Sequence, residues 1–187
     1  MARITTMEEL FLDEIRDLYD AEHQLTKALP EMADAASSDE LRYTFEVHLE
    51  QTANQVQRLE RIFEAMGEKA TGKKCAAMTG LIKEGNEVIG ATEDTAVRDA
   101  GLIAAAQKVE HYEMSGYGSA RTHAELLGND RAVRLLDETL FEEQEADERL
   151  NDLALNLINE RAASETDVSG HTRPKTRTAG GSGYSER

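Results

Sequence analysis

Acidic side chains interrupt apolar helical stripes at several places in this 187-residue chain. In the segment 107–118, Q-K-V-E-H-Y-E-M-S-G-Y-G, Glu110 shares one helical face with Met114 and Tyr117. An isolated ionised carboxylate is too costly to bury, so Glu110 must be protonated, paired or bound to a metal ion. Glu113 lies three residues on and is close enough in helical projection to join it.

Three other apolar stripes carry polar groups at a comparable level. The ionisable members are Glu22 in the first stripe, His48 in the second, and Glu143 with Asp147 in the last. The second stripe adds Thr52 and Gln55. Carboxylate oxygens with an imidazole, gathered in a dry helical core, are suited to iron or manganese. The pattern therefore predicts a carboxylate-rich metal site.

The elements that must position these groups are helices. Apolar periodicity predicts long helices over residues 7–36, 39–66, 93–127 and 130–163, and a short amphipathic helix over 76–89. Thr6 and Glu9 form a capping-box pattern, and Ser38 or Asp39 caps the second helix. Residues 164–187 are rich in Gly, Ser, Thr and Arg without a period, which predicts a disordered polar tail after a helical domain of residues 1–163.

The lengths of the connections indicate how these helices pair. The first and second long helices, and the third and fourth, are joined by a few residues, which predicts two antiparallel hairpins. The link from residue 67 to residue 92 is a crossover that carries the short helix. This all-α layout is that of a ferritin-like four-helix bundle. The chain lacks the Glu-x-x-His motifs usual in dinuclear sites of this kind.

Composition excludes several classes of protein. The formal net charge is −16 and the isoelectric point is near 4.7, so neither nucleic acid nor an anionic membrane is an expected partner. No apolar run approaches the roughly 20 residues of a membrane span, and the first residues lack a signal-peptide core. The one cysteine, Cys75, cannot form an internal disulfide. These features predict a cytoplasmic protein.

Four runs of sequence closely resemble the YciF-type bacterial stress proteins of the ferritin-like superfamily. The runs are L-Y-D-A-E-H-Q-L, H-L-E-Q-T, R-D-A-G-L-I-A-A-A-Q-K-V-E-H-Y-E and T-L-F-E-E-Q-E-A-D-E-R-L. The resemblance extends over about residues 7–162 and implies a helical bundle, usually dimeric, with a candidate dinuclear metal site and a link to stress. It implies metal ligands at Glu22, His48, Glu110, Glu143 and Asp147, with Glu50 and Glu113 as further candidates.

The sequence leaves two main functions open. The first is a dinuclear iron or manganese protein that oxidises iron(II) or reduces peroxide or dioxygen. The second is a non-enzymatic dimeric scaffold or partner-binding stress protein, in which the internal acids form hydrogen-bonded pairs. In that case the acids pair with His48 and Gln55, and some of them are protonated. A separate interpretation of Glu143 with Asp147 is a solvated acidic turn. Iron storage in a large shell is a third interpretation, although nothing in the sequence specifies a cage.

Overall fold

The computed structural model describes residues 3–93 and 95–168, and these residues form helices and no strand. The helices are α1 (Met7–Ala35), α2 (Asp39–Ala65), α3 (Ala76–Ala91), α4 (Ala96–Leu126), α5 (Asp130–Leu153) and α6 (Asn159–Val168). A π-helical turn, Ala154–Ile158, joins α5 to α6. The predicted all-helical class is therefore confirmed.

The predicted helix ends have the expected chemistry. The Thr6 hydroxyl accepts a hydrogen bond from the Glu9 amide at 3.1 Å, and the Glu9 carboxylate accepts one from the Thr6 amide at 3.2 Å. Ser38 is the N-cap of α2. Gly67 and Gly128 have φ of 70° and 68°, the left-handed conformation in which glycine follows a helix C-terminus.

The long helices contact one another in pairs. α1 packs against α2, α4 packs against α5, and further contacts join α2 to α5 and α1 to α4. Tyr19, near the middle of α1, donates a hydrogen bond to Glu60, late in α2, at 3.1 Å. Arg16, one turn earlier in α1, donates to Glu68, beyond the end of α2, at 3.2 Å. Arg121, late in α4, donates to Asp137, early in α5, at 2.6 Å. Each pair therefore runs antiparallel.

The interior consists of two apolar clusters separated by a polar layer. One cluster contains Leu25, Phe45 and Leu150, and the other contains Phe11 and Phe63. Each of the four long helices contributes to both clusters. The buried polar residues between them are Glu22, His48, Thr52, Gln55, Glu110, Glu113, Thr139 and Glu143. The fold thus places a layer of ionisable groups across the middle of a helical core.

α3 lies against α4 where the sequence has a run of small residues. A Cβ atom on Gly101 would lie 2.6 Å from Val88 Cγ1, and one on Gly85 would lie 3.8 Å from Ala105 Cβ. Val88 is β-branched and stiff at χ1, so it cannot easily move aside. The small side chains are what permit this close packing.

Replacement of Gly101 with valine is expected to lower the free energy of unfolding by about 1–3 kcal/mol, because the added atoms overpack the contact between α3 and α4. Urea unfolding followed by circular dichroism measures this change. Gly80→Val is the matched control, since a Cβ on Gly80 meets nothing within 4 Å. Equal effects of the two substitutions would contradict the prediction.

The last helical segment differs from the expectation. A single helix was predicted over 130–163, whereas the π-helical turn interrupts it and α6 continues to Val168, five residues into the predicted tail. A π-helical turn of only five residues does not change the spacing of apolar residues enough to be recognised in the sequence. The rest of the predicted tail, residues 169–187, lies outside the described residues. Among those that are described, no helix has both the length and the apolarity needed to cross a membrane.

Candidate metal centre

The polar layer contains five ionisable side chains from four helices. Glu22 comes from α1, His48 from α2, Glu110 and Glu113 from α4, and Glu143 from α5. None is more than 5% exposed. Each helix repeats its apolar residues every three or four positions, so an acid substituted into that stripe points into the core. These five predicted site residues are therefore buried in one layer.

Four of these residues form a compact donor group. His48, Glu110, Glu113 and Glu143 each offer one ligand atom, and those atoms all lie within 4.8 Å of one another. His48 Nε2 is 3.5 Å from Glu110 Oε1 and 3.7 Å from Glu143 Oε2. The other ring nitrogen, Nδ1, is 3.4 Å from Gln51 Oε1, which leaves Nε2 facing the carboxylates.

Several buried atoms of the five side chains have no hydrogen-bond partner. They are His48 Nε2, both carboxylate oxygens of Glu113, and one oxygen each of Glu22, Glu110 and Glu143. A buried polar atom without a partner is costly and uncommon in native proteins. Oxygen donors with a single imidazole match the preferences of iron and manganese. These residues therefore fit a bound metal ion.

Burial changes the protonation of the acids. It raises the pKa of Glu110 from its ordinary value of 4.5 to about 8, and the charges of Glu22 and Asp147 add to the increase. Burial also raises the pKa values of Glu22, Glu113 and Glu143 well above 4.5. Burial therefore favours the protonated form of each acid, and a metal ion that binds a carboxylate must displace its proton.

Tyr117 fixes the orientation of Glu22. The tyrosine is fully buried in α4, and its hydroxyl donates a hydrogen bond to Glu22 Oε1. The other oxygen of Glu22, Oε2, has no partner. Burial is the first cause of the raised pKa of Tyr117, followed by the nearby charge of Glu22. The phenol therefore stays protonated and donates to the carboxylate.

A second set of polar contacts lies behind Glu143. Gln55 Nε2 donates to Glu143 Oε1 at 2.5 Å and to Glu142 Oε2 at 3.1 Å. Arg58 donates to both oxygens of Glu142, at 2.6 and 2.7 Å, and to Glu138 at 2.8 Å. Arg58 was not among the residues predicted from the sequence. The sequence feature that could have identified Arg58 is its spacing of three residues from Gln55, which places both side chains on the same face of α2.

Two predicted ligands are not among the five buried side chains of the polar layer. Glu50 is exposed, because two residues from His48 is about 200° around the helix, and the structure corrects its placement in the site. Asp147 is partly exposed and accepts a hydrogen bond from Gln107 Nε2 at 3.1 Å, while His111 Nε2 lies 3.4 Å away. The structure gathers Glu22, His48, Glu110, Glu113 and Glu143, and their role as ligands stays a prediction.

The raised pKa of Glu110 makes stability depend on pH. Between pH 4.5 and about 8 the folded protein keeps a proton that the unfolded chain releases, so the free energy of unfolding of metal-free protein falls as pH rises. Urea unfolding in chelator at several pH values checks this. The fall is expected to be smaller in the Glu110→Gln variant, and identical slopes for the two proteins would contradict the assignment.

The chain is similar to proteins that have been grouped by sequence. The family model described as "Domain of unknown function (DUF892)" matches residues 6–163. Protein YciF of Escherichia coli strain K12 is 48% identical over 161 residues, which are 86% of this chain and 97% of YciF.

Solved structures of related proteins have the same fold. The crystal structure of the E. coli stress protein YciF matches with a TM-score of 0.81 at 49% identity, over 84% of this chain and 99% of that one. YcfI from Rhodopseudomonas palustris matches with a TM-score of 0.80 at 46% identity, over 83% and 99%. A protein from Xanthomonas campestris pv. campestris shares the fold alone, with a TM-score of 0.66 at 19% identity, over 86% and 99%. The chain therefore belongs to the DUF892 family and is a relative of the stress protein YciF.

Proposed function

We propose that this protein is a ferritin-like four-helix bundle that binds iron or manganese in its polar layer. Its function is then a stress-related oxidation of iron(II) or reduction of peroxide or dioxygen. The observation that supports it is the convergence of His48, Glu110, Glu113 and Glu143 on one buried point with unpartnered donor atoms. The description of YciF as a stress protein supports the physiological part.

The ferritin-like arrangement is part of this proposal. The antiparallel pairs α1–α2 and α4–α5 would be its two hairpins, and the link between them, with α3, would be its crossover. In ferritin-like dinuclear proteins the metal ligands project inward from all four helices of the bundle. The polar layer has that property, because α1, α2, α4 and α5 each contribute to it.

The side chains would have distinct roles. His48, Glu110, Glu113 and Glu143 would hold one metal position, and Glu22, oriented by Tyr117, would serve a second. Bound iron or manganese would supply the electron transfer that these side chains lack. The apolar clusters on either side exclude water, which strengthens the interaction of carboxylates with a cation.

A second candidate function is a dimeric scaffold or partner-binding stress protein without a working metal site. Two observations favour it. Burial raises the pKa values of Glu22, Glu110, Glu113 and Glu143, so that the acids can stay neutral and share protons. The chain also has no Glu-x-x-His motif. Both candidates include a homodimer in the cytoplasm that does not bind nucleic acid, and light scattering tests the assembly.

Metal content and iron(II) oxidation distinguish the two candidates. Protein purified without chelator is expected to contain iron or manganese. When iron(II) is added to the protein anaerobically and peroxide or dioxygen is then admitted, the iron(II) is expected to be oxidised faster than in buffer alone. Combined Glu22→Ala and Glu110→Ala substitutions should abolish both, whereas Glu50→Ala should not, since Glu50 is exposed. Absence of metal, with a melting temperature that chelator leaves unchanged, would favour the scaffold.

A further inference from the structure

Gln55 is a buried amide with one unused oxygen. Its side chain is fully buried, and Nε2 donates to Glu143 Oε1 at 2.5 Å and to Glu142 Oε2 at 3.1 Å. Its Oε1 atom is buried and has no hydrogen-bond partner. An amide oxygen that accepts no hydrogen bond in the core is a free hard donor beside the carboxylates.

Arg58 determines which way this amide faces. Both oxygens of Glu142 accept hydrogen bonds from Arg58, at 2.6 and 2.7 Å, so Glu142 is a carboxylate that can only accept. Gln55 must therefore turn its N–H₂ group toward Glu142, and its oxygen cannot take that place. Arg58 is itself held by Glu138 at 2.8 Å and Thr139 at 3.3 Å.

The helix register places Gln55 at about the same level along the helices as Glu22. α1 and α2 are antiparallel and Tyr19 meets Glu60, so Glu22, three residues further along α1, lies level with about residue 57 of α2. His48 lies two turns away on α2, against Glu110. The polar layer therefore has a His48–Glu110 end and a Gln55–Glu22 end.

Glu143 contacts both ends of the layer. Its Oε2 is 3.7 Å from His48 Nε2, and its Oε1 is 2.5 Å from Gln55 Nε2. One carboxylate thus spans the space between the imidazole and the amide. Glu22 Oε2 and Gln55 Oε1, both without partners, remain as donors at the second end.

We propose that Gln55 Oε1 is a neutral ligand of a second metal position, at the Gln55–Glu22 end of the centre. The proposal rests on the proposed metal-binding function and adds that the two positions are unequal. An amide carries no charge, so the second position has one carboxylate fewer than it would have with glutamate at residue 55. The His48–Glu110 end fills first, and the second position binds more weakly.

Manganese(II) titration of the full chain tests this inference. Electron paramagnetic resonance measures the free Mn(II) at each addition, and the resulting binding curve is expected to show one tight and one weaker Mn(II) site per chain. Gln55→Met, similar in length but without the amide, should lower the affinity of the weaker position by about tenfold or more and leave the stronger one nearly unchanged. Gln55→Glu should tighten the weaker position. Gln57→Met is the matched control, because Gln57 is exposed on the same helix.

The outcomes separate this inference from the function on which it rests. If the wild-type protein binds one ion only, or if Gln55→Met weakens both positions equally, Gln55 is not a ligand of a second position although the protein still binds metal. If the wild-type protein binds no Mn(II), the metal-binding function itself fails. Circular dichroism of each variant excludes misfolding, and Gln55→Glu gives an independent result should Gln55→Met fold poorly.

Discussion

Replacing Glu110 with glutamine is expected to weaken the binding of Mn(II) or Fe(II) by more than about 100-fold, because loss of an outer-shell partner alone typically costs 10–100-fold. Glu110 lies in the donor group with His48 Nε2 at 3.5 Å, and an amide cannot replace the charge of its carboxylate. Metal-free protein should be no less stable at pH 8, since the substitution removes the group whose pKa burial raises to about 8.

Isothermal titration with Mn(II) measures the affinity, and urea unfolding in chelator measures the stability. Glu50→Gln is the control, as the same substitution at an exposed site on α2. Retained affinity in Glu110→Gln would remove Glu110 from the ligand set. A large loss of metal-free stability would instead indicate that the Glu110 carboxyl is needed for packing. The scaffold alternative does not predict such a loss, because neutralising a buried acid should stabilise that bundle or leave its stability unchanged.

Asp99→Ala is expected to lower the free energy of unfolding by about 3 kcal/mol, since three hydrogen bonds to a charged group are lost. Asp99 is buried on α4 and accepts from the Ser37 amide at 2.8 Å, the Ser37 hydroxyl at 2.6 Å and the Ser38 amide at 2.9 Å. These donors form the turn between α1 and α2, so the substitution leaves the buried Ser38 amide without its partner, and the exposed Ser37 amide as well.

Urea unfolding of the metal-free protein measures the effect of Asp99→Ala. Glu148→Ala, at an exposed acid of α5, is the control and should change the free energy by less than about 0.5 kcal/mol. If Asp99→Ala changed the free energy of unfolding as little as Glu148→Ala does, water would be replacing the carboxylate as the hydrogen-bond acceptor at the turn. Metal affinity should not change, because Asp99 lies at the end of the helices, near the turn.

The helices were predictable because their signals are local. Apolar spacing, the Thr6–Glu9 capping box and the glycines at 67 and 128 each act over a few residues, and the structure has helix ends within a few residues of the predicted ones. The burial of Glu22 and Glu110 was also predictable, because each replaces an apolar residue in a regular stripe. These are the parts of the fold that one helix determines by itself.

Contacts between helices were harder to predict. Asp147 continues the stripe of Glu143 by one turn, yet the structure pairs it with Gln107 at the edge of the core. Arg58 and Asp99 appear as ordinary charges in the sequence, and only the approach of α5 and of the α1–α2 turn gives them buried partners. Sequence periodicity records which face is inward, whereas the partner across the interface depends on helix register and rotation.

The two apolar clusters on either side of the polar layer draw on the same four long helices. Neither the α1–α2 pair nor the α4–α5 pair holds a complete cluster, so each pair alone exposes half of two cores. A chain cleaved within residues 68–75 should therefore yield fragments that gain helicity mainly when mixed. We therefore expect the two helical pairs to fold together, rather than to fold separately and then dock.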